Sequence, residues 1–484
     1  MRLSELVVAG QEGRDIRMAG DVEIRGLSAD SRRVEPGFLF AALPGTKTDG
    51  RHFIDAAIAK GAVAVLAPED TAVPASVAYL ADRNPRRRLA LLAARFYGRQ
   101  PKTIAAVTGT SGKTSTAEFT RQIWTLLGRN AASLGTLGVV APARSEYLAL
   151  TTLDPVDLHR RLAELAGAGV EHLALEASSH GLDQYRLDGV RVSAAAFTNL
   201  SRDHLDYHAD MADYLAAKRR LFTELLLPNG TAVLNADAPE FESLVEAMDS
   251  RGHPVIAYGQ AGRNLRLVGQ RPEADGQRLT VEAFGQRRDL YFPVAGSFQA
   301  PNLLAALGLV IACGEDPEAV LATVAGLKGV HGRIERVARL PNGAAVYVDY
   351  AHKPGALEAV LRALRPHARG RLVVVFGCGG DRDRGKRPVM GAIATGLADR
   401  VIVTDDNPRS ENPAAIRREI MAAAASAVEI GDRRQAIRAA VEALGPEDLL
   451  VIAGKGHETG QIVGGETLPF DDSEEARAAV EALS

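Results

Sequence analysis

The chain has 484 residues, 57 Lys and Arg against 60 Asp and Glu, and a formal net charge of −3, with 46% hydrophobic and 24% charged residues. That balance is ordinary for a globular protein and excludes the basic footprint of a nucleic-acid binder, so any positive charge that matters is local. Length suggests about three domains, at roughly 150 residues each. The two cysteines, Cys313 and Cys378, lack metal-ligand spacing and fit a reducing compartment. The start of the chain lacks the basic region and long apolar run of a signal peptide, and no run approaches about 18 apolar residues. The expectation is a cytoplasmic protein with neither a membrane span nor a membrane partner.

Residues 1–98 read as an opening α/β unit, with strands over 22–27, 38–42 and 62–66 and a helix over 52–60. Ser31 follows the first strand, and Thr46, Lys47 and Thr48 lie in a turn-rich stretch after the second. Such loops are either plain connections or ligand loops.

From 99 to about 330 strands and helices alternate, as in a mostly parallel sheet covered on both faces. A strand over 103–107 feeds Gly109-Thr110-Ser111-Gly112, then Lys113 and Thr114, and a helix from Ser115 to about 127. Glycines let backbone N–H groups wrap phosphate oxygens, and the helix N-terminus adds a favourable dipole. Lys113 can reach the outer phosphates and Thr114 can offer a hydroxyl to magnesium. Val107 stands where the longer phosphate-loop signature has its first glycine, so this is the shorter form.

Strands over 172–175, 193–197 and 231–234 end in polar residues, where open α/β sheets bind ligands. Glu176, at the first of these ends, is placed to bind magnesium through oxygen. His204, just past the second, is a ligand or a loop histidine. A helix over 210–227 carries an apolar stripe of Leu215, Phe222 and Leu225, and Lys218 shares it. Lys218 is therefore either a snorkelling lysine or one with a lowered pKa, able to react as the free amine. Arg219 and Arg220 are expected to be solvated. A β-like stretch over 266–294 and a helix over 303–313 follow.

Past Gly332-Arg333 a third α/β unit begins, with strands over 345–349, 372–376, 400–404 and 449–453. Polar loops follow three of these strands, at 377–388, 404–409 and 454–458, and should converge on one crevice. Arg382 and Arg409 can grip carboxylates and Glu458 can accept from an ammonium, which describes a zwitterionic, amino-acid-like ligand. The reading is an α/β chain of three domains. An N-terminal α/β domain spans 1–98, a central P-loop ATPase domain with a mostly parallel sheet spans 99–331, and a Rossmann-like domain spans 332–484.

The short Gly109–Thr114 loop, the run Glu176-Ala177-Ser178-Ser179-His180-Gly181, Asn302 ahead of its helix, Gly332-Arg333 and Asp349-Tyr350-Ala351-His352-Lys353-Pro354 together resemble the Mur ligase family of ATP-dependent amide-forming enzymes. The resemblance covers essentially the whole chain. It implies that ATP phosphorylates the terminal carboxylate of UDP-N-acetylmuramoyl-L-alanyl-D-glutamate, and that the amine of an amino acid attacks the acyl phosphate. By the same resemblance, Gly109, Thr110, Ser111, Gly112, Lys113, Thr114 and Ser115 line the ATP phosphates. Asn302, Arg333 and Asp349 meet the adenosine and phosphate parts. Thr114, Glu176 and His204 bind magnesium, and Lys218 matches the family's carbamylated lysine (N6-carboxylysine), whose carbamate binds a second magnesium. Lys113, Lys218, His204 and Glu176 form the catalytic set.

Ser31, Thr46, Lys47 and Thr48 resemble the uridine-binding loops; Thr151, Thr152, Ser178, Gln184 and Arg186 resemble contacts to the rest of that substrate. Leu150 stands where some members have Asn, and Thr46–Thr48 replaces a commoner histidine-containing loop. Asp406-Asn407-Pro408-Arg409, with Arg382, Gly454 and Glu458, is similar to the amino-acid site of members that add meso-diaminopimelate instead of lysine. A site built to pair the extra carboxylate and amine penalises an analogue lacking them by roughly 10⁴-fold in favourable cases. A monomer is expected. The alternatives are a lysine-adding ligase, disfavoured by Arg409; folylpolyglutamate synthetase, disfavoured by the N-terminal unit; and a P-loop ATPase module that turns over nucleotide without an acceptor amine.

Overall fold

The computed structural model describes residues 1–7, 17–45, 48–142, 144–148 and 150–483. It divides into two compact units, Met1–Ala257 with Gly308–Glu315, and Tyr258–Leu307 with Asp316–Ser484. Among the described residues no helix is long and apolar enough to cross a membrane.

The first unit opens on a five-stranded sheet in the order Arg17–Ala19, Ala78–Ala81, Ala64–Ala67, Phe38–Ala41, Gly26–Ser28. Its last four strands are parallel and Arg17–Ala19 is antiparallel. The strand expected over 22–27 is shorter and later, Gly26–Ser28, because Glu23 is bound instead in an isolated bridge to Arg2.

A second sheet is built around Thr103–Thr108, which lies parallel between His172–Glu176 and Val192–Phe197. Ala131–Gly135 and Leu226–Asn235 extend it on either side, again in parallel. Strands buried on both faces must be apolar throughout, and Ile104, Ala106, Leu173, Leu175, Ala195 and Phe197 are all buried. Glu176 and Ala196 both pair with Val107, so three strand ends finish level with the start of the phosphate loop.

The helix expected over 210–227 is Met211–Arg220 only. It continues as a π turn, Leu221–Leu225, and the chain then enters the strand Leu226–Asn235. Pro228 and Gly230 cannot extend a helix favourably, and pairing to Val192–Phe197 captures the segment, with a register shift where the two strands meet.

In the second unit the 266–294 stretch is three antiparallel strands, Leu265–Glu273, Gly276–Ala283 and Gln286–Phe292. The helix after it, Gln299–Ala312, starts ahead of the expected 303 and so includes Asn302 in its first turn. A six-stranded sheet follows, in the order Glu335–Arg339, Ala345–Asp349, Leu449–Ala453, Leu372–Phe376, Arg400–Val403, Val428–Glu429. All neighbours are parallel except the first pair. Successive strand residues face opposite sides. Leu372, Val374 and Phe376 enter one core with Leu357, Leu361 and Met390, while Val373 and Val375 enter another with Ile437 and Val441. Ala453 pairs with both Asp349 and Phe376, and Phe376 with Val403, so the polar loops leave the sheet at one level.

Candidate active site

Gly109 has φ +146° and Gly112, the N-cap of the helix Lys113–Leu126, has φ +87°. Both values favour glycine, and a Cβ on Gly109 would also run into the Thr198 hydroxyl. Sequence reasoning passed over the residues that hold this loop. Asn199 O accepts from Thr110 N at 2.9 Å, Asn199 Oδ1 from Ser111 N at 3.0 Å, and Thr198 Oγ1 donates to Ser111 O at 2.7 Å. The only signal for them was their position at a strand end. Lys113 Nζ donates to Gly109 O and Thr110 O, each at 2.9 Å, and Ser115 is buried in the first helical turn.

Glu176 is buried beside the loop. Its carboxylate accepts from Thr114 Oγ1 at 3.1 Å, Thr136 N at 2.7 Å and Thr136 Oγ1 at 3.2 Å. Gly135 makes room for it, because a Cβ there would collide with the Glu176 carboxyl group. The network continues through other predicted residues. Thr136 Oγ1 meets Thr151 Oγ1 at 3.0 Å, Thr152 Oγ1 donates to Glu176 O at 3.1 Å, and Ser178 Oγ lies 3.0 Å from Thr152 Oγ1. Arg186 donates to Thr152 O at 2.7 Å and to Gln184 Oε1 at 2.6 Å. Glu176, Thr114, Thr151, Thr152, Ser178, Gln184 and Arg186 therefore form one connected set.

Lys218 is 1% exposed, with Nζ donating to Gly109 O at 2.9 Å. Burial, and then the nearby Lys113 cation, push its pKa down to about 6. His204 adopts φ +53°, its side chain is partly exposed, and its ring lies 4.9 Å from that of His180. Among the described residues no group of three His, Cys, Asp or Glu side chains is gathered as for a metal ion. Arg220, expected to be solvated, is instead drawn inward: it bonds Leu182 O, pairs with Asp188 at 3.1 Å and stacks 4.0 Å over Tyr185. The sequence could not show this, since Asp188 comes from another segment.

Ser31 is half-buried at the start of a short 3₁₀ turn capped by Asp30, and Thr48 is exposed. Thr46 and Lys47 lie outside the described residues.

In the second unit, Asn302 Nδ2 donates to Gln299 Oε1 at 3.0 Å, and Gln299 Nε2 to Arg333 O at 3.2 Å. Asp349 accepts from Ile334 N at 2.7 Å and Ala351 N at 2.8 Å, and burial raises its pKa to about 6. Arg333 lies 4.6 Å over the Tyr350 ring.

The three polar loops meet. Gly380 N donates to Asn407 O at 2.9 Å, Arg409 Nη1 to Gly380 O at 2.8 Å, and Asn407 Nδ2 to Glu458 Oε2 at 2.9 Å. Lys455, fully buried and missed from sequence, donates to Asn407 Oδ1 at 3.0 Å and Glu458 Oε2 at 3.1 Å. Asp406 keeps one buried carboxylate oxygen without a hydrogen bond, Pro408 is buried, and Gly454 packs against Asp406 with no room for a Cβ. Arg409 has φ +52°, an uncommon backbone for a non-glycine residue. Arg382 is exposed and donates to Asp381 O.

The chain matches three family descriptions: the Mur ligase family catalytic domain over residues 23–97, the Mur ligase middle domain over 107–310, and the Mur ligase glutamate ligase domain over 332–456. It is 56% identical to a UDP-N-acetylmuramoyl-L-alanyl-D-glutamate--2,6-diaminopimelate ligase of Bradyrhizobium diazoefficiens, over 99% of each chain. It is 55% identical to one of Brucella melitensis, over 96% of this chain and 95% of that one. A solved structure under the same ligase name aligns with TM-score 0.72 at 34% identity, over 95% of each chain. The MurF ligase of Thermotoga maritima in complex with ADP shares the fold, with TM-score 0.63 at 19% identity, over 95% of this chain and 99% of that one.

Proposed function

We infer that this chain, which belongs to the Mur ligase family, is an ATP-dependent ligase that adds meso-2,6-diaminopimelate to UDP-N-acetylmuramoyl-L-alanyl-D-glutamate. Likeness over the full length to ligases of that name carries the reading. A terminal carboxylate oxygen attacks the γ-phosphorus of ATP and ADP leaves; the diaminopimelate nitrogen then attacks the acyl carbon, phosphate leaves, and the nitrogen loses a proton. The product is a peptidoglycan precursor, made in the cytoplasm. The domains are taken as 1–98 for the UDP substrate, 99–331 for ATP and 332–484 for the amino acid.

The helix N-terminus at Gly112, Lys113 and Thr114 suits a triphosphate, in a loop whose Thr110 and Ser111 N–H groups are braced on Asn199. Asn302, Arg333 and Asp349 are proposed to meet the rest of the nucleotide. The Thr114 hydroxyl and the Glu176 carboxylate, 3.1 Å apart, are hard oxygen donors of the kind magnesium takes. With His204, and with Lys218 as a carbamate, they are the proposed ligands. Bound there, magnesium would neutralise charge on the transferred phosphoryl group. Lys218 fits a carbamate for a reason of its own: with its pKa near 6 it is largely the neutral amine at pH 7, the form that attacks carbon dioxide. Thr151, Thr152, Ser178, Gln184 and Arg186 are proposed to orient the muramoyl peptide, and Ser31 with Thr46–Thr48 the uridine. Arg409 and Arg382 would pair the carboxylates of diaminopimelate, and Glu458, already facing Lys455, its distal ammonium.

The test is ATP-dependent phosphate release with the UDP-muramoyl dipeptide, comparing meso-diaminopimelate with L-lysine. Turnover with diaminopimelate alone is expected. Turnover with lysine alone would keep the ligase and overturn the specificity, and release indifferent to both would leave an ATPase.

A further inference from the structure

We propose that Tyr214 is a positioning residue of this reaction centre, its ring carrying the Lys218 side chain and its hydroxyl tying that ring to Thr110 of the phosphate loop. The inference rests on the reading that Lys218 takes part in the reaction.

Tyr214 precedes Lys218 by one helical turn, the spacing that stacks side chains on one helix face. Lys218 Nζ lies 4.2 Å from the Tyr214 ring centroid, within reach of a cation–π contact. The tyrosine hydroxyl is 3.2 Å from Thr110 Oγ1. Thr110 Oγ1 also accepts from Ser201 N at 3.0 Å and lies 3.2 Å from Ser201 O, and in the Tyr214–Thr110 bond either hydroxyl can be the donor. Burial pushes the Tyr214 pKa up, which keeps the phenol protonated.

The contacts form a circuit. Lys218 Nζ donates to Gly109 O, Gly109 adjoins Thr110, Thr110 meets the Tyr214 hydroxyl, and the Tyr214 ring returns to Lys218. The His208 ring packs 5.0 Å from the same phenol and is itself held at Nδ1, 3.2 Å from Asp213 Oδ2. Tyr214 is therefore a second tie between the lysine nitrogen and the loop, beside the direct bond to Gly109 O. An N–H lies favourably over a ring face whether its nitrogen is an ammonium or carries a carboxyl group, so this support serves both forms of Lys218.

Steady-state kinetics of Tyr214→Phe, Tyr214→Leu and Lys218→Ala, with thermal unfolding as a check on folding, test the proposal. Tyr214→Phe keeps the ring and loses the tie to Thr110, so KM for ATP should rise about tenfold while kcat holds within about twofold. Tyr214→Leu should in addition lower kcat by about tenfold, through loss of the ring face over which the Lys218 N–H lies. A folded Tyr214→Leu with unchanged kcat and KM, beside an inactive Lys218→Ala, overturns the proposal and leaves the lysine reading standing. A fully active Lys218→Ala overturns both. If Tyr214→Leu does not fold, a double-mutant cycle of Tyr214→Phe with Thr110→Val decides: coupling of about tenfold in kcat/KM supports the tie, and independent multiplication of the two losses overturns it.

Discussion

Lys218 and His159 are both buried side chains that ionise readily in water, and the fold treats each according to its partners. Lys218 faces a carbonyl and an aromatic ring, and burial outweighs the pull of the Asp203 carboxylate on it. Lys218→Ala should lower phosphate release by at least about a hundredfold, the scale of losing one electrostatic element of a reaction centre; near-normal turnover would remove the lysine from the mechanism. His159 is held neutral, with Nε2 3.0 Å from Asp188 O and its pKa pushed down by burial to about 4 from 6.5. Because the folded pKa is the lower one, the unfolded chain binds the extra proton between pH 6.5 and 4. Stability is intact above that window and falls as pH drops through it, by about 3 kcal/mol at the acid end. Denaturant midpoints at pH 7 and pH 4.5 check this: the drop should shrink in His159→Gln, and identical drops in both proteins would refute it. The burial of Lys218 was legible because its helical spacing put it in an apolar stripe. The burial of Arg220 was not, since local spacing is silent about Asp188.

At the scale of elements, apolar runs marked the strands, and the strand ends marked the polar loops. Leu372–Phe376 and Leu449–Ala453 appear where such runs placed them. The segment after Arg220 did not, because Leu221–Leu227 suits a helix by propensity, and pairing with the strand Val192–Phe197 turns the chain aside at Leu226, ahead of Pro228 and Gly230. Gly135 is a comparable case. Nothing local distinguishes it from any glycine near a turn, yet it leaves space for the Glu176 carboxyl group. Gly135→Ala should displace Glu176 and lower kcat by about tenfold or more, with a much smaller effect on thermal unfolding. Equal loss of stability and activity would make that glycine a folding residue only.

At the scale of the whole molecule, the phosphate loop, Glu176 and Lys218 belong to the first unit, and the loops around Asn407 and Glu458 to the second. Diaminopimelate alone should therefore slow amide exchange in 377–409 and 454–463 and leave 109–116 unprotected. Protection confined to the phosphate loop would move the amino-acid site elsewhere. Arg409→Ala should cut kcat/KM for diaminopimelate by about a hundredfold or more, as for loss of a charge-assisted pair, and change little with lysine. Competition between the two acceptors reads this directly.

The order of strands around the phosphate loop also constrains how the protein is made. Thr103–Thr108 emerges from the ribosome early, but its two neighbours, His172–Glu176 and Val192–Phe197, come much later in the chain. Pairings between segments so far apart are slow to form, and domains complete themselves as units during synthesis. Until Phe197 and the Thr198-Asn199 pair behind it have been translated, the glycine loop lacks the Thr198 and Asn199 groups that brace it. A nascent chain stalled before that point would carry every residue of the loop and still have no grip on nucleotide.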